Sequence, residues 1–411
     1  MRLKRSVSAL LAVGVVAGAT AVTAGSAAAG GGGGTPVKII LLAETTGEST
    51  AAVPYYDNGT KMAAEELGSQ VELTRIPAPL TPAAAETALS QALDEKPDVI
   101  IGFPASSQTI ALSQRIVDSG VPFFSLSSGE QLVKDGPNGG ANIFLIRPVD
   151  TNVATKEAEY VVNDLKAKKI GLLCVDNATG VNGCAAAKKV IDKKKGVEIV
   201  AERTNSTTAT DLTEQATAME GADAILDFNF PNPIGVFANQ LIDNGIDVPH
   251  VDGASAGIAV NSGAVTGDAA VNLRGVDDCV PTVSKSSKVK KWVADYESEF
   301  GSTPAPNYST AQSYDTVKLI AAAAKKAKST APAKLIKAIA AIDYKGICAD
   351  YKADDLNVLQ HTADLTRWNA DAQIKVAKVF TFAPNELPGV VPETPPTTTP
   401  TTTAVAPPPS S

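Results

Sequence analysis

The feature that most constrains this chain is an alternation. Short, largely apolar runs are separated by stretches whose apolar residues recur at helical spacing. Val37–Ala43 (VKIILLA) is the first such run, followed by strand-like segments at 71–76, Val99–Gly102, 122–125 and Ile143–Leu145. Helices are expected between them at 57–67, 82–93 and 108–119, the second opening on Pro82, where a missing N–H costs nothing. A strand that is apolar on both faces must be covered on both, and the intervening helices supply the cover. The pattern therefore specifies βαβ units and parallel sheets.

The alternation then starts again. Helices are expected at 154–165, 185–193, 212–219 and 234–244, and strands at 170–175, 197–203 and Ala224–Phe228. Two series in one chain imply an α/β protein of two doubly wound, Rossmann-like lobes. Further helices at 289–300, 311–326 and 333–341 and β-rich segments near 344–351 and 373–382 complete the pattern.

Both ends depart from it. Arg2, Lys4 and Arg5 precede an apolar, small-residue run that closes on Ser26-Ala27-Ala28-Ala29, which reads as a secretory signal peptide over 1–29. A membrane anchor would need about 20 strongly apolar residues, and this run is shorter and diluted by Gly, Thr and Ser. No cysteine stands near the cleavage point to take a lipid. A glycine-rich leader covers 30–35, and a Pro/Thr-rich tail, with Glu393 its one charge from 388 onward, covers 385–411. Such a tail buries too little apolar surface to offset its ordering entropy.

The formal charge of −8 comes from 36 basic and 44 acidic residues, and without the leader it is −11, from 33 against 44. An acidic surface argues against nucleic acid as a partner, since phosphate binding needs a basic face. Four cysteines in an exported chain favour disulfides. Of three possible pairings, Cys174–Cys184, a local strand-to-helix loop, and Cys279–Cys348 are favoured. No metal or other cofactor is expected, because no CxxC occurs and the two histidines, His250 and His361, lie far apart in sequence.

Ligands in such sheets sit beyond the strand carboxyl ends, where helix N-termini point inward. The loops there are rich in hydroxyls and glycines: ETTG with Thr46, PASS at 104–107, SLSSG at 125–129, DNATGVNG at 176–183, NFPNP at 229–233 and DGAS at 252–255. Each small polar residue can equally cap its helix. Glu44, Asp176, Asp227 and Asp252 each end an expected strand, placing four carboxylates around one cleft, a rim suited to a cationic, amide or polyhydroxyl ligand. Helix caps and tight turns account for the same acids. Tyr308 and Tyr314 flank a helix start and are candidate cleft walls, Phe230 is a candidate pocket former, and Trp292 and Trp368 read as packing residues.

Several strings resemble the type I periplasmic binding proteins, especially the branched-chain amino-acid group that serves ABC importers. They are VKIILLAETTGEST, NGTKMAAEEL, DVIIGFPASSQTIALSQRIVDSGVPFFSLSSGEQL, RPVDTN and LLCVDNATGVNGCAAAKKV. The resemblance covers nearly all of 37–383. It implies two lobes joined by three crossovers, near Val149, Pro281 and Asn357, that close on a ligand. Lobe one would be 36–148 plus 282–357, and lobe two 149–281 plus 358–384. It also implies that Ser106, Ser107, Ser127 and Ser128 hold a ligand carboxylate. The other half departs from the family: Ala254 stands where an acid for the ligand ammonium is expected, Gly180 replaces an aromatic, and Phe230 replaces a tyrosine.

Catalysis has little support, with no GxSxG, HExxH or P-loop in the chain. The expectation is a non-enzymatic, extracytoplasmic, monomeric protein without a transmembrane segment, binding a small polar molecule (an amino acid, amide or related compound) through Thr46, Ser106, Ser107, Ser127, Ser128, Asp176, Phe230, Asp252 and Tyr308. An ABC permease is the implied partner. The alternative is a secreted sensor or surface protein on the same fold, and an enzyme using paired carboxylates ranks third.

Overall fold

In the computed structural model, residues 35–43, 53–79 and 82–387 are described. The expected leader, the glycine run and the segment from 388 onward lie outside them, as do Glu44 and Thr46.

The first half of the chain runs β1 (Val37–Ala43), α1 (Val53–Leu67), β2 (Val71–Pro77), α2 (Pro82–Asp94), β3 (Val99–Gly102), α3 (Ser106–Ser119), β4 (Phe123–Ser125) and β5 (Ile143–Leu145). The strands form a parallel sheet of order β2-β1-β3-β4-β5. Burial follows position. β3 is buried along its whole length, whereas edge strand β2 alternates between buried and exposed residues.

The second half repeats the plan through α4 (Asp150–Glu159), β6 (Lys169–Val175), α5 (Ala178–Ile191), β7 (Glu198–Asn205), α6 (Thr213–Thr217) and β8 (Ala224–Phe228). It continues with α7 (Pro231–Asp243), β9 (His250–Asp252), α8 (Ser255–Asn261), α9 (Gly267–Asn272) and β10 (Leu273–Asp277). The chain then forms α10 (Ser287–Phe300), α11 (Tyr308–Ala327), α12 (Pro332–Ala340) and the hairpin β11 (Asp343–Lys345) and β12 (Asp350–Lys352). It ends with β13 (Thr362–Trp368) and β14 (Ile374–Thr381), which join the second sheet antiparallel. That sheet has the order β14-β13-β10-β9-β8-β6-β7. Its parallel part, read from β7 to β10, has the strand order of the first sheet: two doubly wound sheets of one topology.

Helices α10 to α12 return to the first sheet, where α11 packs on α1 in one apolar cluster with β1, Trp292, Tyr296 and Tyr314. The two helices cross closely at Gly59, where a Cβ would collide with Ser313 Oγ and the Thr310 carbonyl. Trp292 and Trp368 are buried packing residues, as their sequence positions suggest. Tyr314 differs from the cleft-wall expectation: it lies in this cluster, its hydroxyl donating to Glu66 at 2.6 Å.

Three passages join the halves, after β5, after β10 and after β12. The first and third are zipped together, Leu145 N–H donating to the Asn357 carbonyl and Leu359 N–H to the Leu145 carbonyl. The second is tied to both. Asp278 receives Arg147 Nε at 2.5 Å and Gln312 Nε2 at 3.0 Å, and its carbonyl receives Gln360 Nε2 at 2.7 Å. Two disulfides are present, Cys174–Cys184 and Cys279–Cys348, the latter linking the second passage to the loop before β12. Asp315 holds that loop through the N–H groups of Ile347 and Cys348 and the Tyr351 hydroxyl. Residues 385–387, expected in the tail, belong to the folded body: Asn385 N–H donates to Asp354, and the Glu386 carbonyl receives Asn152.

No helix among the described residues is long and apolar enough to cross a membrane.

Candidate functional site

A cavity of about 100 Å³ lies between the two halves, beyond the carboxyl ends of both sheets. A cavity needs roughly 10–15 Å³ to admit a single water, so this space has room for more than one water-sized group. Residues from the first turns of α3 (Ser106), α4 (Asp150), α5 (Thr179), α7 (Pro231), α8 (Ser255) and α11 (Tyr308) line it. This convergence follows from topology, because in both sheets the strand order reverses where these loops leave.

Local sequence sets each helix start. Asn177 caps α5, its Oδ1 receiving the Thr179 N–H at 3.0 Å. Asn307 and Thr310 form a reciprocal capping box at α11, which places Tyr308 at the cavity. Pro231 opens α7 directly after Phe230, another lining residue. Gly180, where the family resemblance implied an aromatic, packs against the end of β6; a Cβ there would overlap the Val175 backbone. A side chain at 180 is thus excluded by the helix–strand packing itself.

The wall from the first half is made of hydroxyls, and those hydroxyls have partners. Ser127 Oγ lies 3.2 Å from Thr109 Oγ1 and 2.9 Å from Ser125 Oγ. Ser128 Oγ donates to Asp150 Oδ1 at 2.7 Å, and Ser106 Oγ reaches Asp150 Oδ2 at 3.5 Å. Burial raises the Asp150 pKa, opposed by Arg147 and the Ser128 hydroxyl. Arg147, under the Tyr308 ring at 5.1 Å, is itself paired with Asp278.

The wall from the second half is acidic. Along α4, residues Asp150, Val153, Ala154 and Glu157 all line the cavity, one helical stripe with an acid at each end. Glu157 is 1% exposed and neither carboxyl oxygen has a hydrogen-bond partner. Burial, then the charges of Asp150 and Asp227, push it up to about 8. Asp252, also 1% exposed, receives the Asn229 N–H on Oδ2 at 3.2 Å, while its Oδ1 has no partner. Its pKa is driven well above the carboxylate range by burial, with Asp227 and Glu157 adding to it.

Of the residues singled out in sequence, Ser106, Ser127, Phe230, Asp252 and Tyr308 line this cavity. Ser128 stands just behind the wall, fully buried and bonded to Asp150. Ser107 is half-buried and outside the lining, Asp176 is exposed and outside it, and Thr46 is not among the described residues. The four-acid rim is not assembled as drawn. Glu44 lies outside the described residues, Asp176 faces solvent, and Asp227 is sealed beneath the cavity by His250 at 3.0 Å. His250 is correspondingly structural, packed edge-on against Phe237. Sequence reading missed Arg147, Asp150 and Glu157, the first two inside the RPVDTN string. The available signal was the pairing of acids seven residues apart across an apolar i+3, i+4 face.

Among the described residues no cluster of His, Cys, Asp and Glu could hold a metal ion.

A family model described as periplasmic binding protein matches residues 9–373. The chain therefore belongs to the periplasmic binding protein family. Solved structures share its fold. The leucine-binding protein LivK of Thermotoga maritima matches with a TM-score of 0.74 at 20% identity, over 84% of this chain and 99% of that one. LivJ of Streptococcus pneumoniae, a branched-chain amino-acid transporter substrate-binding protein in complex with isoleucine, matches at 0.73 and 26%, over 85% and 100%. A solute-binding protein of an ABC transporter from R. palustris, in complex with benzoate, matches at 0.76 and 16%, over 85% and 98%. The comparison with curated proteins finds no match.

Proposed function

We propose that the protein is an extracytoplasmic solute-binding protein that encloses a small polar ligand between its two halves and presents it to an ABC importer. The observation that carries this is the cavity itself. It sits between two topologically matched sheets, ringed by helix first turns and lined by buried polar atoms without protein partners. Groups of this kind are costly to bury unless something pairs with them, and a ligand trapped on closure does so. The family supports the reading, as do neighbours whose ligands, isoleucine and benzoate, are small acids. The two disulfides suit an oxidising compartment outside the cytoplasm, reached through the leader at 1–29. Of the hydroxyls, Ser106 and Ser127 are the first-half contacts, with Phe230 and Tyr308 closing over the ligand.

The test is mass spectrometry of small molecules released when the purified protein is unfolded, followed by thermal denaturation with each candidate. A ligand at about 100 times its dissociation constant adds roughly 2.7 kcal/mol. A released metabolite that raises Tm supports the reading. No released molecule, and no shift across amino acids, amines and aromatic acids, overturns it.

A further inference from the structure

The partnerless atoms of the cavity are not evenly distributed in kind. Every buried side-chain polar atom of a lining residue that lacks a hydrogen-bond partner is a carboxyl oxygen: both of Glu157 and Oδ1 of Asp252. The two residues are neighbours in space. The Glu157 Oε1 atom comes within 3.6 Å of a Cβ built on Gly253, next to Asp252, and each acid feels the field of the same Asp227.

The other charged groups facing them are already engaged. Asp227 is held by His250 and Asn229, Asp150 by Ser128 with Ser106, and Arg147 by Asp278. Arg147 is the one cationic side chain among the described lining residues, and its salt bridge leaves it poorly placed to neutralise a ligand anion. The hydroxyls of Ser106 and Ser128 already serve an internal carboxylate. The helix N-termini around the cavity favour negative charge, and Asp150, in the first turn of α4, answers that preference from within the protein.

We infer that Glu157 and Asp252 form the recognition site for a cationic N–H donor group on the ligand, an ammonium or a guanidinium, while Asp150 occupies the serine hydroxyls that could otherwise hold a ligand carboxylate. The inference rests on the solute-binding reading and specifies its ligand class: a small amine or guanidine lacking a carboxylate at that end. A group with N–H donors is required because the vacant partners are lone pairs; a quaternary ammonium brings charge without donors. With a cation bound, Glu157 must be ionised, so a proton held in the empty cavity leaves as the ligand enters. Affinity then rises with pH through about 8, while an alkyl amine keeps its own charge.

The experiment is isothermal titration calorimetry of the wild-type chain with 1,4-diaminobutane, agmatine, choline, isoleucine and benzoate, at pH 6 and pH 8.5, in two buffers of different ionisation enthalpy. Expected is binding of diaminobutane or agmatine, tighter at pH 8.5 by at least tenfold and accompanied by proton release. Glu157→Gln, which keeps shape and removes charge, should weaken that binding tenfold or more and abolish the release. Proton release is read on the wild-type chain and so does not depend on the variant folding. Choline binding as tightly as the amines overturns the inference, as does isoleucine or benzoate binding with Glu157→Gln unaffected; the latter leaves the solute-binding reading standing. A panel in which no amine binds overturns it too.

Discussion

The two walls of the cavity contain similar numbers of polar groups but in opposite states. On the first-half side, Ser127 and Ser128 are satisfied by Thr109, Ser125 and Asp150 before any ligand arrives. On the second-half side, Glu157 and Asp252 present oxygens with nothing to accept from. A satisfied hydroxyl network holds its shape and gives up little when a ligand approaches. An unsatisfied acid is a cost to the empty protein that binding removes. On the proposed reading, the hydroxyls position a ligand and the acids select it.

The largest test of that contrast is the pH dependence of stability. Glu157 has its folded pKa pushed up to about 8 from a reference of 4.5. The penalty for ionising it is therefore absent below about pH 4.5, grows as pH rises, and reaches its full size above about 8. At most this amounts to about 5 kcal/mol. Urea denaturation of wild type and Glu157→Gln should agree near pH 4.5 and diverge by pH 9, the variant being the more stable. Asp277, also pushed up to about 8 by burial, contributes to the alkaline loss of both and cancels in the difference. Parallel curves across the range would remove the strain assigned to the acidic wall.

Arg147→Met probes the charge that separates the walls. It strands the buried Asp278 carboxylate, leaving Gln312 as its remaining side-chain donor, and should destabilise by about 4 kcal/mol, with much of the loss recovered by the double variant with Asp278→Asn. Ser128→Ala is smaller. It removes a hydrogen bond to a half-buried carboxylate and should cost about 2 kcal/mol in the same assay. Smallest of all, Asp176→Asn on the exposed loop before α5 should change stability by less than about 0.5 kcal/mol and leave ligand affinity where it was. A substantial loss of affinity there would bring the four-acid rim back.

The sequence carried the fold well because parallel strands buried on both faces, such as IIGF and LLCV, leave a signal that no surface segment imitates. It carried the short elements α8, α9 and β10 poorly, since five to seven residues hold too little of either period. The site was half legible. Ser106, Asp252 and Phe230 were found because strand ends announce themselves. Asp150 and Glu157 were missed because α4 was expected to begin at 154, whereas it begins at Asp150. The late start cut the stripe before its acidic first residue, and what remained of the helix read as an apolar face with ordinary charges outside. Tyr308 was found beside a helix start placed three residues late, because the Asn307 and Thr310 capping pair went unread. Capping residues thus decided which side chains reached the cavity, and they carry less contrast than hydrophobic periodicity.

The knot at Arg147, Asp278, Gln312 and Gln360 has a mechanical consequence. Three chain segments pass between the halves, and each is fastened to another at this one spot, two through backbone hydrogen bonds between Leu145 and the Asn357–Leu359 segment. Bodies tethered three times at a single locus can tilt about it but can neither slide past each other nor draw apart. The degrees of freedom between the halves collapse toward one angle. Arg147 both lines the cavity and sits in the knot, so the space between the halves and the junction that joins them share one side chain.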